Sequence, residues 1–205
     1  MIKIFLLMLF SFIKKGWKLK NIFSSKPCIL FFTGISASGK SSLCSALKEK
    51  LKKLEIANPI NLDGDLFRKK IKNFNYKKKS RNKIGDIKIK LGKKYKSEGK
   101  LVLISGIAHD KTWRKKIKKN TKDYFEIFLK CPLKTCQKRD FKKQYVKAKK
   151  GLIKNFIGIH EKYQIGSSHD LLINTNRLSK KKSVNAIINF LKKKKYVFKK
   201  QFKDI

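Results

Sequence analysis

Residues 28–42 read CILFFTGISASGKSS. Cys28 to Thr33 form a short, continuous apolar run, the pattern of a strand buried on both faces. Gly34 to Ser41 then satisfy the spacing G-x-x-x-x-G-K-[ST], and that spacing has a mechanical reason. The glycines let successive backbone N–H groups curl around phosphate oxygens, the lysine neutralises the β and γ phosphates, and the hydroxyl holds Mg²⁺. Leu43, Leu47, Leu51 and Leu54 follow at helical spacing, so strand, glycine loop and helix come in order, and the helix N-terminus adds its positive dipole end. That order separates a nucleotide-binding loop from a chance match. The residues expected to hold ATP or GTP are Gly34, Ile35, Ser36, Ala37, Ser38, Gly39, Lys40, Ser41 and Ser42, with Lys40 catalytic and Ser41 the Mg²⁺ ligand.

Working outward, further strands are expected at Pro59–Leu62, Leu101–Ser105, Tyr124–Leu129 and Leu171–Asn174. Helices are expected around Asn82–Ser97, closed by Gly99, from Cys131-Pro132 onward, and at Val184–Leu191. Proline near a helix start does no harm, because its missing N–H is one the first turn leaves unused. Strands alternating with helices predict an α/β, P-loop nucleoside-triphosphate hydrolase-like three-layer fold with a parallel central sheet. The long polar stretch from Asp140 to Ser168 carries few strand signals and is a candidate mobile lid segment. Residues 1–25 read as an apolar and basic N-terminal extension, 26–195 as the P-loop domain, and 196–205 as a basic C-terminal tail.

Composition narrows the partners. The chain has 205 residues, 41% hydrophobic and 11% aromatic, which excludes collagen-like and fully disordered readings. Its net charge is +42, a field that attracts polyanions without specifying one. Only five of the 55 basic residues are arginine (Arg68, Arg81, Arg114, Arg139, Arg177). Surfaces selected for phosphate or nucleic acid usually use arginine for its planar fork, so no specific nucleic-acid partner is expected, and the arginines that survive the lysine bias are the ones to explain. Cys28, Cys44, Cys131 and Cys136 form no CxxC, which argues for reduced thiols in a cytoplasmic protein rather than a disulfide framework or zinc site. The apolar run Ile4–Ile13 is too short to span a bilayer as a helix and lacks a small-residue cleavage site. With its basic flanks it allows weak association with an anionic membrane surface. A homodimer is also allowed.

Asp63-Gly64-Asp65 places two of only 13 acidic residues at a strand's carboxyl end, the edge where ligands lie in open α/β sheets. A carboxylate there can orient an attacking hydroxyl, accept its proton, or hold Mg²⁺ through water. Read together, several separated blocks resemble the adenylylsulfate kinase family: FTGISASGKSS, NLDGDLFR, KIGDI, LVLISGI, EIFLKCPLKTCQKRD and YVKAKKGLIKNFIGI, in matching order from about Cys28 to Asn174. The resemblance implies MgATP-dependent phosphorylation of the 3′-hydroxyl of adenosine 5′-phosphosulfate. It implies that Asp63 and Arg68 serve the acceptor, with Asp63 catalytic and engaging the attacking hydroxyl. Phe156 would stack on the acceptor's adenine, Lys147 would meet its anionic end, Arg81 would stand in for a missing arginine-rich run, and Arg139 would lie near the ATP.

The chain departs from the family pattern in four places. The usual Ser-Pro-x-Arg reads Ala108-His109-Asp110-Lys111, and a lysine cannot make the arginine's bidentate contact. The segment between Phe74 and Gly85 is shorter than the pattern. The lid's Gly-Ile-Asp reads Gly158-Ile159-His160, and its KGLY has lost the glycine, reading Lys142-Lys143-Gln144-Tyr145. These changes leave ATP binding intact and bear on the acceptor, so two alternatives stay open. One is a kinase for another small nucleotide anion such as cytidine diphosphoramidate. The other is a catalytically degraded nucleotide-binding relative.

Overall fold

The computed structural model describes residues 23–63, 77–167 and 169–199. Their elements in chain order are β1 (Phe23–Ser25), β2 (Ile29–Thr33), α1 (Lys40–Lys53), β3 (Ile60–Leu62), α2 (Lys78–Ser97), β4 (Val102–Gly106), α3 (Lys111–Lys119), β5 (Tyr124–Lys130), α4 (Leu133–Lys138), α5 (Gln144–Lys149), β6 (Leu171–Asn174), α6 (Lys180–Lys193) and β7 (Val197–Lys199).

The apolar run at residues 28–33 is continuous because it serves two cores. Cys28, Leu30 and Phe32 join Leu43, Leu47 and Leu51 of α1 and Ile187 and Leu191 of α6 on one face of the sheet. Ile29 and Phe31 join Val102, Ile104, Ile89 of α2 and Trp113 of α3 on the other. Period-two alternation thus sends successive side chains into opposite layers. Each such side chain, fully buried, contributes about 1.5–3 kcal/mol. The central sheet has the order β3-β4-β2-β5-β6 and is parallel throughout, with Ile29 opposite Val102 on one side and Tyr124 on the other. From β2 the chain crosses to β3 on one side and later to β5 on the other, so the order reverses at β2. The glycine loop leaves β2 at that switch point, where open α/β sheets bind ligands.

Two features depart from the sequence reading. Helix α3 was not expected, although KTWRKKIKK sets Trp113 and Ile117 four residues apart on one face, both against the core. It forms because the Asp110 carboxylate accepts from the Thr112 N–H at its start, and because it buries Trp113 and Arg114. The fully buried Arg114 pairs through Nε with Glu126 at 2.9 Å, donates to the carbonyls of Ala108, Gln164 and Ile165, and lies over the Tyr163 ring. A buried charge is stable only when answered this fully. Secondly, the boundaries drawn at 25/26 and 195/196 both cut through structure. Phe23–Ser25 pairs antiparallel with Val197–Lys199, and Val197, 2% exposed, belongs to the α1/α6 core with Phe23 and Tyr196 against it. The strand's single inward valine gave no periodicity to read. The run Ile4–Ile13 lies outside the described residues, as do 200–205. No helix among the described residues is long and apolar enough to cross a membrane.

Gly85 of α2 sits against the indole of Trp113, where an added Cβ would lie 2.5 Å from Cζ2. Trp113 is pinned by its own N–H, which donates to Asp86 Oδ1 at 2.8 Å. Gly85→Ala is therefore expected to destabilise the fold by about 1–3 kcal/mol despite alanine's better helix propensity, read as a lower midpoint in urea unfolding.

Candidate active site

The glycine loop is built by backbone that only glycine adopts freely. Gly34 has φ 149°, and a Cβ there would lie 2.7 Å from the Leu129 carbonyl. Gly39, φ 97°, turns the chain into the first turn of α1. The loop is braced from the segment that follows α4. The Tyr145 hydroxyl donates to the Ser36 carbonyl at 2.9 Å, Ser36 Oγ donates to Gln144 Oε1 at 2.8 Å, and Thr175 Oγ1 donates to the Ser38 carbonyl at 3.0 Å. Lys40 Nζ folds back over the loop to the Ile35 carbonyl at 2.6 Å.

A cavity of about 560 Å³ runs along the sheet's carboxyl edge. One half is walled by the loop, the exposed Ser41 and Ser42, and by Arg139, Thr175 and Leu178. Arg139 is held there by its bond to the Thr175 carbonyl at 3.1 Å. The other half is walled by α2, the end of β4, Trp113 and Phe156.

Asp63 follows β3 directly, and parallel pairing of Leu62 with Ile104 brings it beside Ser105. Ser105 Oγ donates to Asp63 Oδ2 at 3.2 Å. The same serine's carbonyl accepts from Lys88 Nζ at 2.7 Å. Burial, then the Asp63 carboxylate, push the Cys44 thiol of α1 well up, while Lys40 and Lys88 pull against them. Lys40, Asp63 and Lys88 thus converge over the start of α1.

The other expected acceptor residues divide. Arg81 is buried and lines the cavity, and its guanidinium clamps the Asn155 carbonyl at 2.9 and 3.0 Å and Glu161 at 3.0 Å. It holds the segment carrying Phe156. Phe156 also lines the cavity, but its ring is 1% exposed and packs edge-on to Tyr145 at 5.1 Å, in a small core with Cys136 and Ala148. Its N–H donates to His160 Nδ1 at 3.0 Å, so the histidine found in place of the family's aspartate still caps the turn. Lys147 is exposed and not part of the cavity wall, and Lys111 is likewise exposed. Arg68 lies outside the described residues.

Sequence reasoning missed Ser105 and Lys88, and the braces at Gln144, Tyr145 and Thr175. A signal for Lys88 existed: it stands four residues after Ile84 on the inward stripe of α2, where an apolar residue belongs.

His109, at the place of the family's proline, is 3% exposed and donates through Nε2 to Glu161 Oε2 at 3.0 Å. Among the described residues its Nδ1 has no partner. Burial first, then the Arg81 charge, lower its pKa below the usual 6.5 and outweigh the pull of Glu161. The unfolded chain takes up a proton near pH 6.5 that the folded chain refuses, so stability present above that pH is lost as pH falls below it. The melting temperature is expected to drop between pH 7.5 and 5.5, and His109→Gln should flatten that slope.

Lys143 precedes α5 with φ 53°, keeping the left-handed backbone of the glycine that the KGLY pattern has there. A lysine in this conformation carries strain of about 1–2 kcal/mol that glycine does not, offset in part by glycine's chain entropy. Lys143→Gly should raise stability by about 0.5–1 kcal/mol in urea unfolding.

A glycine loop at the switch point of a parallel sheet, with a lysine and a hydroxyl lining one cavity and a carboxylate bonded to Ser105 on its wall, defines a P-loop kinase. The family model described as Adenylylsulphate kinase matches residues 26–174, and the chain belongs to that family. It is 35% identical over 173 residues to the probable adenylyl-sulfate kinase of Bacillus subtilis, covering 81% of this chain and 84% of that one. Identity is 34% over 185 residues to the adenylyl-sulfate kinase of Oceanobacillus iheyensis, covering 87% and 90%. Among solved structures, the Mycobacterium tuberculosis APS kinase in complex with AMPPNP and APS superposes with a TM-score of 0.71 at 28% identity, covering 82% of this chain and 99% of that one.

Proposed function

We propose that the chain transfers the γ-phosphoryl group of ATP to the 3′-hydroxyl of adenosine 5′-phosphosulfate, giving ADP and the 3′-phosphorylated product. The observation that carries this reading is the single cavity joining the glycine loop to Ser105 and, through it, Asp63. A donor on the loop and an acceptor against α2 would meet where Lys40 and Asp63 converge. In phosphoryl transfer the protein contributes chiefly positioning and charge neutralisation.

In this reading the loop's backbone N–H groups and Lys40 bind the β and γ phosphates. Asp63, oriented by the Ser105 hydroxyl, accepts the proton of the attacking hydroxyl as the new P–O bond forms and the bond to the β-phosphate oxygen breaks. Arg139 flanks the ATP base, and Phe156, whose N–H donates to His160, forms part of the wall on the acceptor side. Ser41 and Asp63 would supply hard oxygen donors of the kind Mg²⁺ takes, and the ion would there neutralise charge on the β and γ phosphates. The segment from Asp140, tied to the loop through Gln144 and Tyr145, excludes water so that the phosphoryl group goes to the hydroxyl.

The test is a transfer assay on the purified chain with MgATP and adenosine 5′-phosphosulfate, with product mass read directly and cytidine diphosphoramidate offered in parallel. Product 80 mass units above the sulfate acceptor, roughly one added phosphoryl group, is the expected result. Turnover of the cytidine compound alone would reassign the acceptor, and ATP binding without transfer to either would point to a nucleotide-binding relative that has lost activity.

A further inference from the structure

Lys88 takes no part in the mechanism above, yet among the described residues it is the only lysine that is buried, at 3% exposure. It sits on the inward stripe of α2 in a chain whose other described lysines reach solvent. Burying an ammonium group carries a desolvation cost that an aliphatic side chain of the same volume does not. Lysine bias in the coding sequence explains surface lysines and does not explain this one. Lys88 lines the acceptor half of the cavity, and its Nζ donates to the Ser105 carbonyl at 2.7 Å. Ser105 in turn holds Asp63 at 3.2 Å. Among the described residues on that half the other cation is Arg81, which bonds the Asn155 carbonyl and Glu161. Lys111, standing where a family arginine would be, is exposed and off the cavity wall.

We infer that Lys88 is a positioning residue for the acceptor, its ammonium binding the phosphate or sulfate anion that the acceptor nucleotide carries. The inference rests on the kinase reading above. Three rotatable N–H donors on a flexible stem suit a tetrahedral anion that the fixed backbone cannot follow. Seated there, the anion would fix the acceptor relative to Asp63 through their common neighbour Ser105. A nucleoside without the anion would gain nothing from Lys88.

The test uses the full chain saturated with MgADP, so that the donor half is filled, and measures binding of adenosine 5′-monophosphate and of adenosine by calorimetry. Wild type should prefer the monophosphate. Lys88→Met should weaken monophosphate binding tenfold or more and leave adenosine within about twofold. Lys88→Gln keeps a donor for the Ser105 carbonyl but no charge, and should show the same selective loss, which also serves if the methionine variant fails to fold. Equal weakening of both ligands marks a packing role and overturns the inference, as does a glutamine variant with undiminished preference. A wild type that binds the two equally, or neither, overturns it too. Transfer to the sulfate acceptor by wild type, measured separately, decides the kinase reading. Absence of that transfer with selective loss in Lys88→Gln would sink the reading and keep the anion site.

Discussion

Lys40→Ala is expected to lower turnover at least about a thousandfold, the scale on which removing a cation from a transferring phosphoryl group acts. The geometry makes this a clean experiment. Lys40 opens α1 and its side chain lies over the loop, bonded to the Ile35 carbonyl. Truncation therefore removes no core packing, and alanine suits a first helical turn. The melting temperature should stay within a degree or two while ADP release, followed by a coupled assay, falls to background. Lys40→Arg should not rescue, because the guanidinium is planar and larger than the ammonium that fits 2.6 Å from that carbonyl. Activity within tenfold of wild type for the alanine variant would remove Lys40 from the γ-phosphate.

Asp63→Asn is expected to lower transfer by about two to four orders of magnitude while the Michaelis constant for ATP stays within about threefold. The substitution is isosteric. An amide oxygen still accepts from Ser105 Oγ, so the local hydrogen bond at 3.2 Å survives and the fold should not weaken. What disappears is the carboxylate proposed to take the hydroxyl's proton. Single-turnover kinetics separate this from a binding defect: bound ATP should persist uncleaved. A wild-type rate of transfer would exclude Asp63 as the base.

The donor half of this site was open to sequence reading because its chemistry is local. Eight consecutive residues, Gly34–Ser41, carry both the spacing and the turn glycines, and the apolar run before them needed only strand period and two buried faces. The acceptor half is assembled from β3, α2, β4 and the segment around Phe156, which are far apart in the chain. Ser105 looks like one more strand residue until parallel pairing with β3 sets it beside Asp63. Lys88 is one cation among many, and only burial distinguishes it. Lys147 matched a pattern by position, but the turn of α5 leaves it in solvent while Tyr145 and Ala148 face inward. Helix α3 is short, its apolar stripe being only Trp113 and Ile117 with Asp110 capping its start, and the β1–β7 pair rests on tertiary pairing, so neither offered a long periodic run to read.

That β1–β7 pair also fixes how the domain can be held. Phe23 lies opposite Lys199, so the polypeptide enters and leaves at one corner. Three residues separate β1 from β2, which puts this corner at the amino-terminal edge of the sheet, whereas the nucleotide cavity opens at the carboxyl-terminal edge. A tether fixed ahead of Phe23, whether to a bead, a fluorescent reporter or a lipid surface, would hold the enzyme by its back with its mouth turned outward. The same proximity makes the corner a natural splice: a short loop joining Lys199 to Phe23 would permit new termini elsewhere, for instance in the exposed turn at Gly99, without touching the catalytic edge.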